Sequence, residues 1–284
     1  MVGKILDGRI ASATIKNKIK QDIEMAINNG CRPPGLSVIL IGTDKASEIY
    51  VNAKRKACLE VGIKSFSYNL PSETTENELI ELINKLNLDK EVNGILVQLP
   101  LPSHINTDNI IEHINPHKDV DGFHPYNFGR LAKANPLMRP CTPYGIIQLL
   151  NFYNIPIAGK KTVILGASNI VGRPMALELL LAKATVTICN SKTRELEKLV
   201  RIADIIISAT GIQNITESTW FNSNQVVVDV GIHRINDKIC GDINFAEVQD
   251  KVAWITPVPG GVGPMTIATL LENTVRSWKL AIIK

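Results

Sequence analysis

Residues 161–183 read KTVILGASNIVGRPMALELLLAK. A β-branched run, a turn carrying Gly166 and Gly172, and a helical stretch follow one another here, which is the order of a dinucleotide-binding crossover. The spacing is not the standard G-x-G-x-x-G. Even so, Gly166 allows a tight turn, Ser168 offers a hydroxyl to a phosphate, and Gly172 lets helix and strand approach closely. Backbone N–H groups at the helix start are expected to face a pyrophosphate. The two glycines alone would also serve an ordinary βα turn.

The flanking segments extend the pattern. ATVTICN (184–190) reads as a strand, RELEKLVRIA (194–203) as a helix, and DIIISAT (204–210) and QVVVDVG (225–231) as further strands. Strands alternating with helices predict a parallel sheet with helical cover. NAD-specific folds place an acidic residue about 20 positions after the glycine turn to hold the ribose 2′-hydroxyl. Here the corresponding stretch is Asn190-Ser191-Lys192-Thr193, without a carboxylate. Hydroxyl and ammonium groups suit a 2′-phosphate, so NADP is expected, held by Ser191 and either Lys192 or Arg173. Beyond it, Asp229-Val230-Gly231-Ile232 ends a strand, and TPVPGGVGPMT (256–266) crowds glycines and prolines into one loop. That loop is either a rigid connector or a place where Gly260, Gly261 and Gly263 let a flat ligand touch backbone.

The first half has its own alternation. A helix is expected from about Asp7 to Asn29, a buried strand at LSVILIG (36–42), then a helix through EIYVNAKRKA (48–57) with Asp44 as N-cap and Gly62 as its end. IKSFSYNL (63–70) follows, TENELIELINKLN (75–87) has helical periodicity, and NGILVQL (93–99) is a strand stopped by Pro100 and Pro102. Tyr50 and Lys54 stand one turn apart on a single helical face. If the strands share one parallel sheet, Lys54, Gln98 and Asp121 converge at their carboxyl ends. Taken singly, each has a bland alternative: a core-edge tyrosine, a snorkelling lysine, a strand end, an Asp-Gly turn. From Asp119 to Pro143 the rhythm breaks, and the domain boundary is placed there.

The 284 residues, 45% hydrophobic, are enough for two domains: an N-terminal α/β domain at 1–140 with a final helix at 268–284, and a dinucleotide-binding domain at 141–267. No secretory leader or bilayer-length apolar run is evident, and five scattered cysteines without a C-x-x-C fit a reducing cytoplasm. The formal charge of +4 is diffuse, and aromatics make up only 5%, which argues against a nucleic-acid partner. His113 and His117 have helical metal-pair spacing, but Pro116 intervenes and no third ligand is evident, so no metal is expected. Cys189 reads as a small buried hydrophobe.

Taken together, ASEIYVNAKRKACLEVGI, GILVQLPLP, KDVDGFHPYNFGRL, PCTPYGI, GASNIVGRPM, DVGIHR and TPVPGGVGPMT occur in one order along nearly the whole chain. In this it resembles the bifunctional methylenetetrahydrofolate dehydrogenase/methenyltetrahydrofolate cyclohydrolase family of the bacterial two-domain type. The resemblance implies a homodimeric enzyme of one-carbon and purine metabolism with a folate site in the cleft between its domains. It implies that Tyr50 stacks on the pterin, Lys54 is the catalytic amine, Gln98 holds it, and Asp121 binds the amino-pyrimidine. Leu99, Pro259, Gly260 and Gly261 are implied as further folate contacts, and Gly166, Ala167, Ser168, Gly172, Arg173, Ser191, Lys192 and Ile232 as the NADP set. The last helix is expected to return to the first domain. Many relatives have arginine where this chain has Ala167, so another group must meet the 2′-phosphate. A lysine desolvated beside Tyr50 and Ala53 is expected to titrate lower than usual, as proton transfer in the hydration step requires. A shikimate-dehydrogenase-like oxidoreductase is the alternative, disfavoured by VQLPLP and PGGVGPMT.

Overall fold

The computed structural model describes residues 3–236 and 238–282, without the side chains of residues 45 and 46. In chain order the elements are β1 (Lys4–Ile5), α1 (Gly8–Asn28), β2 (Gly35–Ile41), α2 (Lys45–Val61), β3 (Lys64–Leu70), α3 (Glu76–Leu88), β4 (Gly94–Val97), α4 (Thr107–His113), α5 (Pro125–Ala132) and α6 (Cys141–Phe152). There follow β5 (Lys161–Leu165), α7 (Gly172–Leu181), β6 (Thr185–Cys189), α8 (Leu196–Ile202), β7 (Ile205–Ser208), β8 (Val226–Asp229), β9 (His233–Ile235), β10 (Lys238–Cys240), α9 (Phe245–Val248), β11 (Trp254–Ile255) and α10 (Val262–Ile282). The chain forms two compact units: residues up to Ala13 with Pro140–Thr266, and Thr14–Arg139 with the segment from Ile267 onward.

The first unit is built on a parallel sheet in the order β1-β11-β8-β7-β5-β6. Strand order reverses at β5, with β6 on one side and β7 on the other. Ligands of open α/β sheets bind at such a reversal, beyond the strand carboxyl ends. Isoleucines and valines leave β7 and β8 buried throughout, as a sheet buried on both faces requires. Val163, Leu165, Val200, Ile206, Val227 and Ile255 lie in one apolar cluster. The expected 1–140 domain differs at its start: β1 is the sixth strand, paired with β11 through Lys4↔Trp254 and Ile5↔Ile255. A two-residue strand with no local hairpin signal finds its partner only through tertiary pairing.

The second unit carries a three-stranded parallel sheet, β3-β2-β4, with β2 wholly buried at its centre. Ile39, Ile41, Leu79, Ile83, Ile95 and Ile110 form its apolar core with α3 and α4. The helix ends follow local chemistry. Asp44 accepts from Ser47 N at 2.7 Å and Gly62 closes α2 in the left-handed region at φ 85°. Thr75 and Glu78 form a reciprocal capping box on α3. The helix α5 lies in a stretch expected to be irregular. Its His-Pro step is a start signal: Pro125 occupies the first turn, where no N–H is needed, and His124 Nδ1 accepts from Tyr126 N at 2.9 Å. The final helix belongs in this unit from Ile267 onward. Asn273 Nδ2 donates to Val120 O and Arg139 O, both at 2.8 Å, and Ser277 Oγ donates to Asn93 O and His117 O.

Candidate functional site

The candidate residues fall into one group in each unit. In the second unit, α2 leaves the carboxyl end of β2 and carries Tyr50 and Lys54 on consecutive turns. Lys54 is 8% exposed, and its Nζ donates to Gln98 Oε1 at 3.0 Å. Gln98 follows β4 directly, and its Nε2 is committed to Leu99 O at 2.7 Å, so the side-chain oxygen is left facing the amine. An amide orients a lysine without adding the negative charge that would hold it protonated. Burial pushes the Tyr50 hydroxyl above its ordinary range. One turn beyond Lys54, burial pushes the Cys58 thiol up to about 12, against the opposing pull of the Lys54 charge. Both neighbours therefore keep their protons at neutral pH.

Asp121 follows a segment that runs beside β4, where Ile95 N donates to Lys118 O at 2.8 Å and Ile95 bridges Asp119. Gly94 makes this possible, since a Cβ there would lie 2.7 Å from Val120 Cγ1. Sequence reasoning chose Asp121 and missed Asp119, the organiser of the turn. Asp119 is buried and accepts from Gly122 N, Phe123 N, His124 N and Asn127 Nδ2. Burial pushes its carboxyl above the usual range, and the Asn127 and backbone donors pull it back. No local signal separates the two: Asp121 stands four positions before Pro125 and Asp119 six, and a carboxylate at either can gather loop N–H groups. His113, read as an unlikely metal ligand, donates from Nδ1 to Asn109 O at 2.8 Å.

In the first unit, Gly166 lies at the strand-order reversal with φ 109°, and a Cβ there would meet Ala209 O at 2.2 Å. A Cβ on Gly172 would lie 2.1 Å from Gly166 O, so both glycines are sterically required. The expectation for the helix-start amides needs correction. Ser168 Oγ accepts from Val171 N and Gly172 N at 3.2 and 3.4 Å, and Arg173 N donates to Ser168 O. The Ser168 hydroxyl caps the turn and retains its own proton to donate. Arg173 Nε donates to Ala167 O at 3.2 Å, so its guanidinium group folds back over the position lacking an arginine. Next to this turn, Gly166 N donates to Cys189 O at the end of β6, and Asn190 and Thr193 form a small turn that leaves Ser191 and Lys192 exposed. Cys189 is buried and its thiol is pushed up by burial, in keeping with a packing role. Ile232 is 52% exposed in the loop after β8. Gly260 stands at φ 107°, its carbonyl accepting from Gly8 N at 2.9 Å, whereas nothing crowds Gly263.

Asp229 closes β8 as a buried carboxylate pushed up to about 6 by burial. N–H donors from Ile243, Asp242 and Gly231 oppose that rise, and the nearby Asp242 charge adds to it. A carboxyl raised on folding stabilises fully below its unfolded value of 3.8, and that contribution is lost as pH rises through about 6. At about 1.4 kcal/mol per pH unit the loss is roughly 3 kcal/mol in all. Denaturation midpoints of the protein and of Asp229→Asn are therefore expected to diverge between pH 4 and 7, to the disadvantage of the native carboxylate. A pH-independent difference would remove Asp229 as the titrating group.

Comparison with known proteins adds the chemistry. Residues 6–121 match the family model described as the tetrahydrofolate dehydrogenase/cyclohydrolase catalytic domain, and residues 140–282 its NAD(P)-binding domain. The chain is 60% identical over 278 residues to the bifunctional protein FolD of Legionella pneumophila (strain Paris), covering 98% of each. It superposes on the Campylobacter jejuni methylenetetrahydrofolate dehydrogenase/cyclohydrolase with a TM-score of 0.94 at 52% identity, covering 98% of this chain and 99% of that one. The Trypanosoma brucei enzyme, solved with NADP cofactor and inhibitor, gives 0.96 at 35% identity over the full length of both. The Aquifex aeolicus shikimate dehydrogenase, by contrast, gives 0.51 at 14% identity over 87% of this chain and 92% of that one, a likeness of fold alone.

Proposed function

Since the chain belongs to the tetrahydrofolate dehydrogenase/cyclohydrolase family, we propose that Lys54 carries the proton of its hydrolytic step, that Gln98 orients Lys54, and that Tyr50 and Asp121 bind the pterin. Leu99, Pro259, Gly260 and Gly261 complete the proposed folate contacts. The enzyme oxidises 5,10-methylenetetrahydrofolate to the 5,10-methenyl form by hydride transfer to NADP, then hydrolyses that product to 10-formyltetrahydrofolate. The observation that carries the residue assignment is the buried Lys54 amine bonded to an amide oxygen.

In the substrate the reacting carbon lies between two nitrogens. Hydride loss therefore leaves a cation stabilised by nitrogen lone pairs, and this step needs orientation rather than a base. Water then adds to the cationic carbon and must lose a proton before the ring C–N bond opens. Lys54 is assigned that proton, with Gln98 fixing the direction of its nitrogen. Tyr50, whose hydroxyl stays protonated, offers the ring face one turn away.

Gly166, Ala167, Ser168, Gly172 and Ile232 are assigned to the dinucleotide, and Ser191, Lys192 and Arg173 to its 2′-phosphate. A carboxylate-free turn after β6 and a glycine too crowded to bear a Cβ fit such a group. Arg173, folded over Ala167, is the arginine best placed to replace the one missing from that position. NADPH formation followed by absorbance tests the assignment. Exchanging Ser191 for Asp and Lys192 for Ala is expected to lower the NADP/NAD preference roughly 10- to 100-fold, the scale of losing charge-assisted hydrogen bonds. An unchanged ratio would reject it.

The reading extends to a cytoplasmic homodimer supplying one-carbon units for purine biosynthesis. The five free cysteines support a reducing compartment. No described helix is long and apolar enough to cross a membrane.

A further inference from the structure

Asp242 belongs to none of the groups above, yet its carboxylate joins two loops at the ligand-binding end of the parallel sheet. It is fully buried. Its Oδ2 accepts from Ser208 Oγ at 3.1 Å, Thr210 N at 2.8 Å, Thr210 Oγ1 at 2.9 Å and Gly211 N at 3.3 Å, which are the end of β7 and the turn beyond it. Its Oδ1 lies 2.8 Å from His233 Nε2, at the start of β9. A Cβ on Gly231 would be 2.1 Å from that same oxygen, so the loop at Gly231 rests directly on the carboxylate. The β7 turn includes Ala209, whose carbonyl crowds Gly166 across the strand-order reversal. The β8 loop presents Ile232 to solvent. One buried anion thus ties together the wall opposite the glycine turn and the loop bearing Ile232.

We propose that Asp242 is a positioning residue for NADP, holding the 208–211 turn and the segment 231–233, which leads into β9, in the arrangement that receives the dinucleotide. This rests on placing the cofactor at Gly166 and Ser191. Four donors converging on one buried oxygen exceed what a single turn needs, and the hydrogen bonds reach across 9 to 34 positions of sequence. Charge-assisted bonds of this kind fix geometry because each broken one leaves a buried group unpaired.

The experiment compares Asp242→Ala, Thr210→Val and Thr210→Ser by NADP titration, by dehydrogenase kinetics and by hydrolysis of preformed methenyltetrahydrofolate, which consumes no NADP. Expected for Asp242→Ala and Thr210→Val is a rise in NADP Kd and KM of roughly tenfold or more, exceeding any fall in kcat, with hydrolysis within about twofold of the unaltered protein. Thr210→Ser, which keeps the hydroxyl, is expected to restore NADP affinity. The proposal is overturned if NADP affinity is unchanged in Thr210→Val, if hydrolysis and NADP affinity fall together in that variant, or if serine fails to rescue. Should Asp242→Ala not fold, the two Thr210 variants decide alone. Ser191→Asp separates the premise: if it too leaves NADP affinity unaltered, the cofactor placement has failed, whereas weakened binding there with normal Thr210→Val binding sinks the positioning role by itself.

Discussion

Lys54→Met is expected to slow hydrolysis of methenyltetrahydrofolate by ~10² to 10⁴-fold, the range over which a positioned acid–base group acts. Methionine keeps the unbranched stem in its buried site while removing the amine that bonds Gln98 Oε1 at 3.0 Å, so the packing change is small. Neither neighbour can take over. The Tyr50 hydroxyl is held protonated by burial, and the Cys58 thiol is pushed up to about 12. Hydride transfer asks for no base, so NADPH formation should fall far less than hydrolysis. The contrast between the two activities is the decisive readout. Hydrolysis at the unaltered rate would move the proton-carrying role to another residue, while an equal loss of both activities would mean that Lys54 only binds substrate.

Gly166→Ala should impair both cofactor binding and folding of the first unit. A methyl group here meets Ala209 O at 2.2 Å, on a backbone that the fold holds at φ 109°. Overpacking costs about 1–3 kcal/mol, and a non-glycine residue in sparsely populated backbone space costs about 1–3 kcal/mol more. An unfolding free energy lower by about 2–6 kcal/mol is therefore expected, with NADP affinity reduced at least tenfold as β5 and the β7 turn are forced apart. Chemical denaturation and cofactor titration check the two parts. If stability and affinity both stayed near those of the unaltered protein, the backbone would have to relax without disturbing the crevice, and the close-approach account of this turn would be wrong.

Much of the architecture was legible because the signals are local. The run KTVIL, the positive φ of Gly166, the approach of Gly172 to Gly166 O, the Asp44 cap and the Gly62 terminator each act within a few residues, through side-chain period, φ preference, close contact or a cap hydrogen bond. Tyr50 and Lys54 share a face because one helical turn separates them. The helix α5 was missed because a His-Pro step marks either a break or a beginning, and the flanking sequence does not choose between them. Asp119 was passed over for Asp121 because both stand in KDVDGF, and only folding shows which carboxylate gathers the loop donors.

Local sequence alone set the alternating α/β pattern, the glycine turn after β5, the lack of a carboxylate in the 190–193 turn after β6, and the helix carrying Lys54. Tertiary structure alone decided that β1 completes the parallel sheet through β11, and that α10 fastens to Asn93 and His117. It alone decided that Asp242 gathers Ser208, Thr210, Gly211 and His233. The physical reason is range. Propensities, caps and turn sterics are settled among neighbours, whereas a buried serine or carboxylate is satisfied by donors and acceptors up to 184 positions away, which no local pattern can specify.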